Sequence, residues 1–418
     1  MQHISSRFAD AAKEILCNFQ ARMHQSVQMY AGCNVMSPAA EHALANSMGM
    51  IPAIGAPHAK LQPGTKEISD LEELVEGQLQ DLFDGEWSEC RLQSCTYANM
   101  AVYLAFSRVG DSIATISAPD GGHVSHQATG TIGMLGRTAI RLPFDYSRCS
   151  VDDQAAAALI KVARPSIVML GGSVMLAPYN TRELVVAAHA VGAVVVYDAS
   201  HVAGLIAGGR FQNPMAMGID IMTASTYKTL GGPSGGILVG NKKSQGDLIR
   251  KLVTGSMASN YDAGRLLALS TALSEAKAFM GDYADAMLKN SAVLSRSLEG
   301  FGIPLHHAPI DQPAPTHQAL VLCSSPESAK SLVTRAEAIG LLFGAAPVPG
   351  RPTNGGVRLG TQAITRLGVT ETEIAKIAEV FAAAWRGEDV YQYQSDIVNI
   401  ASRLNRVYYT YDNNSGTL

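Results

Sequence analysis

Short apolar runs alternate with amphipathic stretches through the middle of the chain. "SIVMLG", "AVVVYD", "IDIMTAS" and "GILVG" have strand length, and helical material such as "NTRELVVAAHAVG" separates them. That alternation predicts a mostly parallel sheet covered on both faces. "EISDLEELVEGQLQDLF" spaces its apolar residues as a helix does, and residues 1–30 read as a helix or arm. Pro38, Pro52, Pro57 and Pro63 break the loop-rich stretch that follows the arm. From about residue 276 the chain changes character, and "QALVLC", "SAKSLVTRAEAIG", "GVRLGTQAIT" and "ETEIAKIAEVFAAAW" predict a smaller α+β domain. The expected organisation is an N-terminal helical segment (1–40), a large α/β domain (41–275) and a small C-terminal domain (276–418).

Composition narrows the function classes. The 418 residues are 47% apolar and only 16% charged, which suits a large buried enzyme or a subunit that hides surface in an oligomer. A net charge of -4 with no basic run argues against nucleic acid. No apolar stretch approaches the roughly 18 residues of a membrane span, and Asp10 and Lys13 interrupt what a signal peptide would need. The six cysteines show no CxxC and no metal-ligand spacing, so neither a disulfide framework nor a metal is expected. They read as reduced thiols of a cytoplasmic protein.

Two ionisable residues fall at strand ends. Asp198 closes "AVVVYD", and Lys228 follows "IDIMTAS" inside "TASTYKTLGGPSGG". In open α/β sheets the carboxyl ends of strands face the ligand crevice. An amine and a carboxylate there suit pyridoxal phosphate, which needs a lysine for its aldehyde and an acid beside its ring nitrogen. A buried ion pair that closes the sheet explains the pair alone equally well.

Further segments add to it. "QSCTYAN" brings the hydroxyls of Ser94 and Thr96 and small-residue amides, including that of Cys95, to the start of a helix, where a phosphate would sit. "DGGHVSH" sets His123 and His126 after a Gly-Gly turn, and "NGGVRLGTQAITR" sets Arg358 in a strand, ready for a carboxylate. Taken singly, these are an ordinary cap, core or surface histidines and an exposed arginine.

Together the segments resemble the serine hydroxymethyltransferase family of fold-type I pyridoxal phosphate enzymes, from about residue 27 to 386. "DASHVAGL", "KTLGGPSGG" and "VRLGTQAITRLG" keep the order and spacing of three family signatures. The resemblance implies an aspartate aminotransferase-like fold and pyridoxal 5'-phosphate as cofactor. It makes Lys228 the lysine that holds the cofactor, Asp198 the partner of the ring nitrogen and His123 the residue stacked on the ring. His201 would lie near the cofactor oxygen and the substrate carboxylate, and Ser173 near the phenolic oxygen. Arg358 would bind the substrate carboxylate, and Ser94, Cys95 and Thr96 would form the phosphate cup. Ser225 and Thr226 would support proton movement, and the hydroxyl of Tyr227, where the family has histidine, would reach phosphate. The family's second-subunit phosphate loop maps onto "GSMASNYDAG", and a homodimer or homotetramer with the site between subunits follows from the resemblance.

The departures from the family are informative. Members that use tetrahydrofolate carry a serine and a glutamate where this chain has Gly32 and Cys33. They also carry a catalytic glutamate and tyrosines in the segment matching 48–60, which here holds no acid and no tyrosine. Ser234 replaces the arginine of the usual "GPRGG". The expected activity is therefore folate-independent aldol or retro-aldol chemistry on a small β-hydroxy-α-amino acid, with an aldehyde as co-product. The chain also looks like threonine transaldolases and α-methylserine aldolases, so release of the aldehyde and transfer to a second aldehyde both stay open. His123, His126 and His58 are candidates for the base at the β-hydroxyl, and His123 is preferred. Folate-dependent hydroxymethyl transfer, or another pyridoxal reaction such as transamination, β-elimination or decarboxylation, is the alternative.

Overall fold

The computed structural model describes residues 2–306 and 315–411. Its large sheet has seven strands: β1 (Trp87–Leu92), β2 (Ser112–Thr115), β3 (Thr138–Arg141), β4 (Ile167–Gly171), β5 (Val194–Asp198), β6 (Ile221–Ser225) and β7 (Gly236–Gly240), in the order β1-β7-β6-β5-β4-β2-β3. Strands β3, β2, β4, β5 and β6 are parallel, and β7 runs antiparallel to both neighbours. The apolar runs lie at the centre of this sheet because they are covered on both faces: every residue of β4, β6 and β7 is buried.

Helices complete the layers. α1 (Gln2–His24) leaves Phe8, Ile15, Leu16 and Phe19 exposed. α2 (Lys66–Phe83) buries Ile68, Leu71, Val75 and Leu79 at helical spacing, and α3 (Cys95–Phe106) follows β1 directly. α4 (Gly264–Gly300) is much longer than its sequence pattern suggests and serves both cores. Leu266, Leu273 and Met287 pack in the core of the large sheet, whereas Val293, Leu294 and Leu298 pack in a second core.

That second core is built on a small antiparallel sheet of β8 (Gln318–Cys323), β9 (Gly344–Ala346) and β10 (Gly355–Gly360), with α5 (Glu371–Arg386) packed beside it. α5 begins with a capping box between Thr370 and Glu373 and ends at Gly387 in a left-handed conformation. The N-terminal segment joins this second core: Val27–Gln28 pairs in parallel with Leu341–Leu342, and Tyr30 bridges to Leu359.

The tyrosine-rich tail folds back on its own chain. Tyr409 stacks on Tyr283 of α4 with 4.9 Å between ring centres, and the Tyr411 hydroxyl donates to the Ser274 carbonyl at 3.1 Å. Residues 412–418 of that tail lie outside the described residues. No helix among the described residues is long and apolar enough to cross a membrane.

Candidate active site

The strand order brings four carboxyl ends together. Ser94 follows β1, Ser173 follows β4, Asp198 ends β5 and Lys228 follows β6, and all of them line one cavity. Ser94 caps α3, accepting the Tyr97 N–H, and Cys95 and Thr96 in the first turn line the same cavity. The chain must pass closely here: a β-carbon on Gly236 would fall 2.2 Å from the Ser94 carbonyl oxygen. This wall is a helix N-terminus with two hydroxyls, the setting that binds a phosphate.

Asp198 is buried and fully engaged. One oxygen accepts from Asn99 Nδ2 at 2.9 Å and lies 3.0 Å from His126 Nε2. The other accepts from the Ser200 amide at 3.0 Å and the Cys95 thiol at 3.6 Å. Burial alone would raise its pKa, but His126, Ser200 and Asn99 outweigh it and hold the carboxyl below the usual range. It is an anion with a position fixed from several sides. Burial and its neighbour Asp198 raise the Cys95 thiol, which is a donor here and no nucleophile.

Lys228 is buried, and burial lowers its pKa against the opposing pull of Asp198. Its Nζ lies 3.2 Å from His201 Nε2, and its carbonyl accepts from Asn34 Nδ2 at 2.8 Å. Asn34 also bonds the Tyr283 hydroxyl at 3.0 Å, so the lysine's backbone is tied to α4. Ser225 bonds Ser200 at 3.1 Å through both its amide and its hydroxyl, and Tyr227 lines the cavity beside the lysine. Thr226 stands apart. Its hydroxyl donates to the carbonyls of Pro233 and Gly235, so it shapes the turn around Lys228 and does not line the cavity.

His123 forms another wall. Gly121, at φ +96°, lets the chain turn there without a side chain against Val174. Burial, with His126, Lys228 and Arg358 against the pull of Asp198, lowers the His123 pKa to about 4. Its Nδ1 lies 3.2 Å from the Ser125 amide and 2.8 Å from the Ser125 hydroxyl. The other candidate bases are placed differently. His126 is wholly buried on Asp198, and His58 is an exposed residue 3.2 Å from Glu73, outside the cavity lining.

Arg358, on β10, stands behind the cavity wall and does not line it: its guanidinium is bonded to the carbonyl of Ser173 and lies 3.5 Å from His201 Nε2, both lining residues. Burial lowers its pKa to about 10, which leaves it a cation at neutral pH. His201 is buried and stacked on His317 at 6.4 Å. "GSMASNYDAG" begins in a π-helical turn (Val253–Met257), and its Tyr261 hydroxyl bonds Glu72 within this chain. Among the described residues no cluster of His, Cys, Asp or Glu is arranged to hold a metal.

The sequence reading overlooked Asn34, Asn99, Ser200 and His317. Asn99 carried one signal, since it lies four residues after Cys95 on the same helix face. The donor set fits pyridoxal 5'-phosphate: a buried amine with lowered pKa, an anionic carboxylate held at the cavity wall, a helix N-terminus for phosphate and an imidazole for the ring face.

A family model described as serine hydroxymethyltransferase matches residues 7–381. The serine hydroxymethyltransferase of Methanothermobacter thermautotrophicus is 30% identical over 413 residues, which is 97% of this chain and 96% of that one. That of Methanocaldococcus jannaschii is 32% identical over 406 residues, 94% of each chain. The solved structure of L-threonine transaldolase from Pseudomonas fluorescens, in its internal aldimine state, superposes with a TM-score of 0.89 at 22% identity, covering 99% of this chain and 96% of that one.

Proposed function

The chain belongs to the serine hydroxymethyltransferase family, with a fold-type I architecture and pyridoxal 5'-phosphate as cofactor, and we propose that it makes or breaks the Cα–Cβ bond of a small β-hydroxy-α-amino acid without tetrahydrofolate. When bound, the cofactor supplies an aldehyde for an amine and an electron sink for the charge left at Cα. The residues around it divide the remaining work. Lys228 holds the cofactor aldehyde, and the Asp198 anion keeps a proton on the ring nitrogen. Ser94, Cys95, Thr96 and the hydroxyl of Tyr227 hold the phosphate, and Ser173 and His201 flank the phenolic oxygen. Arg358 binds the substrate carboxylate.

His123 is the group assigned to the substrate's β-oxygen. One nitrogen can serve both directions because Ser125 offers it two partners. When Nδ1 accepts from the Ser125 amide, Nε2 carries a proton and donates to an aldehyde oxygen. When Nδ1 donates to the Ser125 hydroxyl, Nε2 accepts the β-hydroxyl proton. A pKa near 4 keeps the ring neutral at physiological pH, so both tautomers are available.

The observation that carries the proposal is the inventory of carboxylates. Asp198 is the one carboxylate among the described residues lining the cavity, and the ring nitrogen is the role we assign to it, which leaves no second carboxylate for folate chemistry there. Segment 48–60, where folate-using relatives carry a glutamate, folds as a small hairpin (Gly55–Ala56 with Ala59–Lys60). Its one amine, that of Lys60, is spent on Glu72 and the Gly55 carbonyl. Transfer to a second aldehyde, the activity named for the structurally similar transaldolase, would use the same residues. Aldehyde release from β-hydroxy amino acids, with and without a second aldehyde or tetrahydrofolate, separates these outcomes. A second copy of the chain is the partner we assign to the apolar face of α1, where Phe8, Ile15, Leu16 and Phe19 are exposed.

A further inference from the structure

Tyr30 occupies a built position that no role given so far uses. Its bridge to Leu359 sets it one residue from Arg358 in register, and the Gln362 side-chain amide donates to its carbonyl at 2.8 Å. Its ring lies between two glycines. A β-carbon on Gly32 would come within 2.7 Å of the ring on one side, and one on Gly344 within 2.6 Å on the other. Gly32 stands where folate-using relatives carry serine, so the side chain missing there makes room for this ring.

Gly344 pairs with Arg358 across the small sheet, so the Tyr30 ring packed on Gly344 stands beside the Arg358 side chain, and the nearby phenol favours the charged guanidinium. A guanidinium has donors only, so toward it the phenol oxygen can only accept, which leaves its own O–H to donate elsewhere. We propose that Tyr30 is a substrate-positioning residue: it steadies Arg358 and donates its hydroxyl proton to the α-carboxylate of the amino-acid substrate. The carboxylate is then bound by Arg358 and Tyr30 together. This inference rests on reading the cavity as an amino-acid site.

The test compares glycine with glycinamide, which lacks the carboxylate. Each is titrated into the cofactor-loaded protein while cofactor absorbance is followed, for the native chain and for Tyr30→Phe, which keeps the ring between the glycines. The Kd for glycine is expected to rise about tenfold in Y30F, the scale of a lost hydrogen bond to a charged group. The Kd for glycinamide should stay unchanged, and turnover should show the loss in KM rather than kcat. Tyr30→Ala should weaken glycine at least as much. Equal weakening of both ligands, or no change in either, overturns the role of Tyr30. If the native protein itself gives no response to glycine, the amino-acid reading of the cavity falls, and this inference with it.

Discussion

Lys228 Nζ lies 3.2 Å from Nε2 of His201, whose Nδ1 is 3.1 Å from the Ala31 carbonyl. A carbonyl only accepts, so Nδ1 carries the proton and Nε2 presents a lone pair to Lys228 and Arg358. Burial, with Lys228 and Arg358 beside it, holds His201 far below the ordinary imidazole pKa and keeps it neutral. His201→Phe preserves the stacking on His317 but removes the acceptor. Steady-state kinetics should show kcat lowered roughly 10- to 100-fold, the scale of a lost bond to a charged donor.

Asp198→Asn keeps the shape of the side chain and removes the charge that His126, Asn99 and Ser200 stabilise. If the carboxylate keeps the cofactor ring protonated, kcat should fall by about 10²-fold, while cofactor measured by absorbance stays bound through Lys228 and the turn at Ser94. Unchanged kcat would contradict the assignment.

Ser125→Ala tests the tautomer argument. The amide donor to His123 Nδ1 remains, the hydroxyl acceptor is lost, and the ring is left with its proton on Nε2. Cleavage of a β-hydroxy amino acid should slow by about 10²-fold, with little change in amino-acid affinity. Equal losses in rate and affinity would point to a displaced loop instead.

Stability should fall as the pH drops below about 6.5, where an unfolded chain protonates its histidines. Burial lowers His123 to about 4 and His317 to about 3, and pushes His201 well below its ordinary value, so the folded chain refuses protons that the unfolded chain binds. Glu76 works in the opposite sense, because burial and Glu89 raise it to about 7 and it takes up a proton in the folded state first. Three histidines oppose one carboxyl, so the sum is a loss. Urea unfolding of the cofactor-loaded protein at pH 7 and pH 5 should show the lower midpoint at pH 5, and His317→Phe should narrow the gap.

The core of the fold was legible because its four central strands are apolar on both faces and its helices on one, whereas Trp87–Leu92, which carries Ser88, Glu89 and Arg91, and the half-exposed Thr138–Arg141 lack that pattern. Asp198 and Lys228 were legible as charged residues at the ends of such strands. The shell that fixes them was not. Asn99 meets Asp198 across 99 residues of sequence and Asn34 meets Lys228 across 194, and no local periodicity encodes such contacts. Thr226 shows the converse, since a hydroxyl two residues before the lysine reads as chemistry but is absorbed by the carbonyls of its own turn. Gly32 read as a lost serine, and only the packing of Tyr30 against it shows what the small residue admits.

The most direct test of the central claim is aldehyde release by the purified, cofactor-loaded protein. L-Threonine, L-serine and α-methylserine would be supplied in turn, without tetrahydrofolate and then with it. Acetaldehyde or formaldehyde should form without folate, from at least one of them, at a rate that folate does not raise. Turnover that begins only when tetrahydrofolate is added would contradict it and assign the chain to hydroxymethyl transfer.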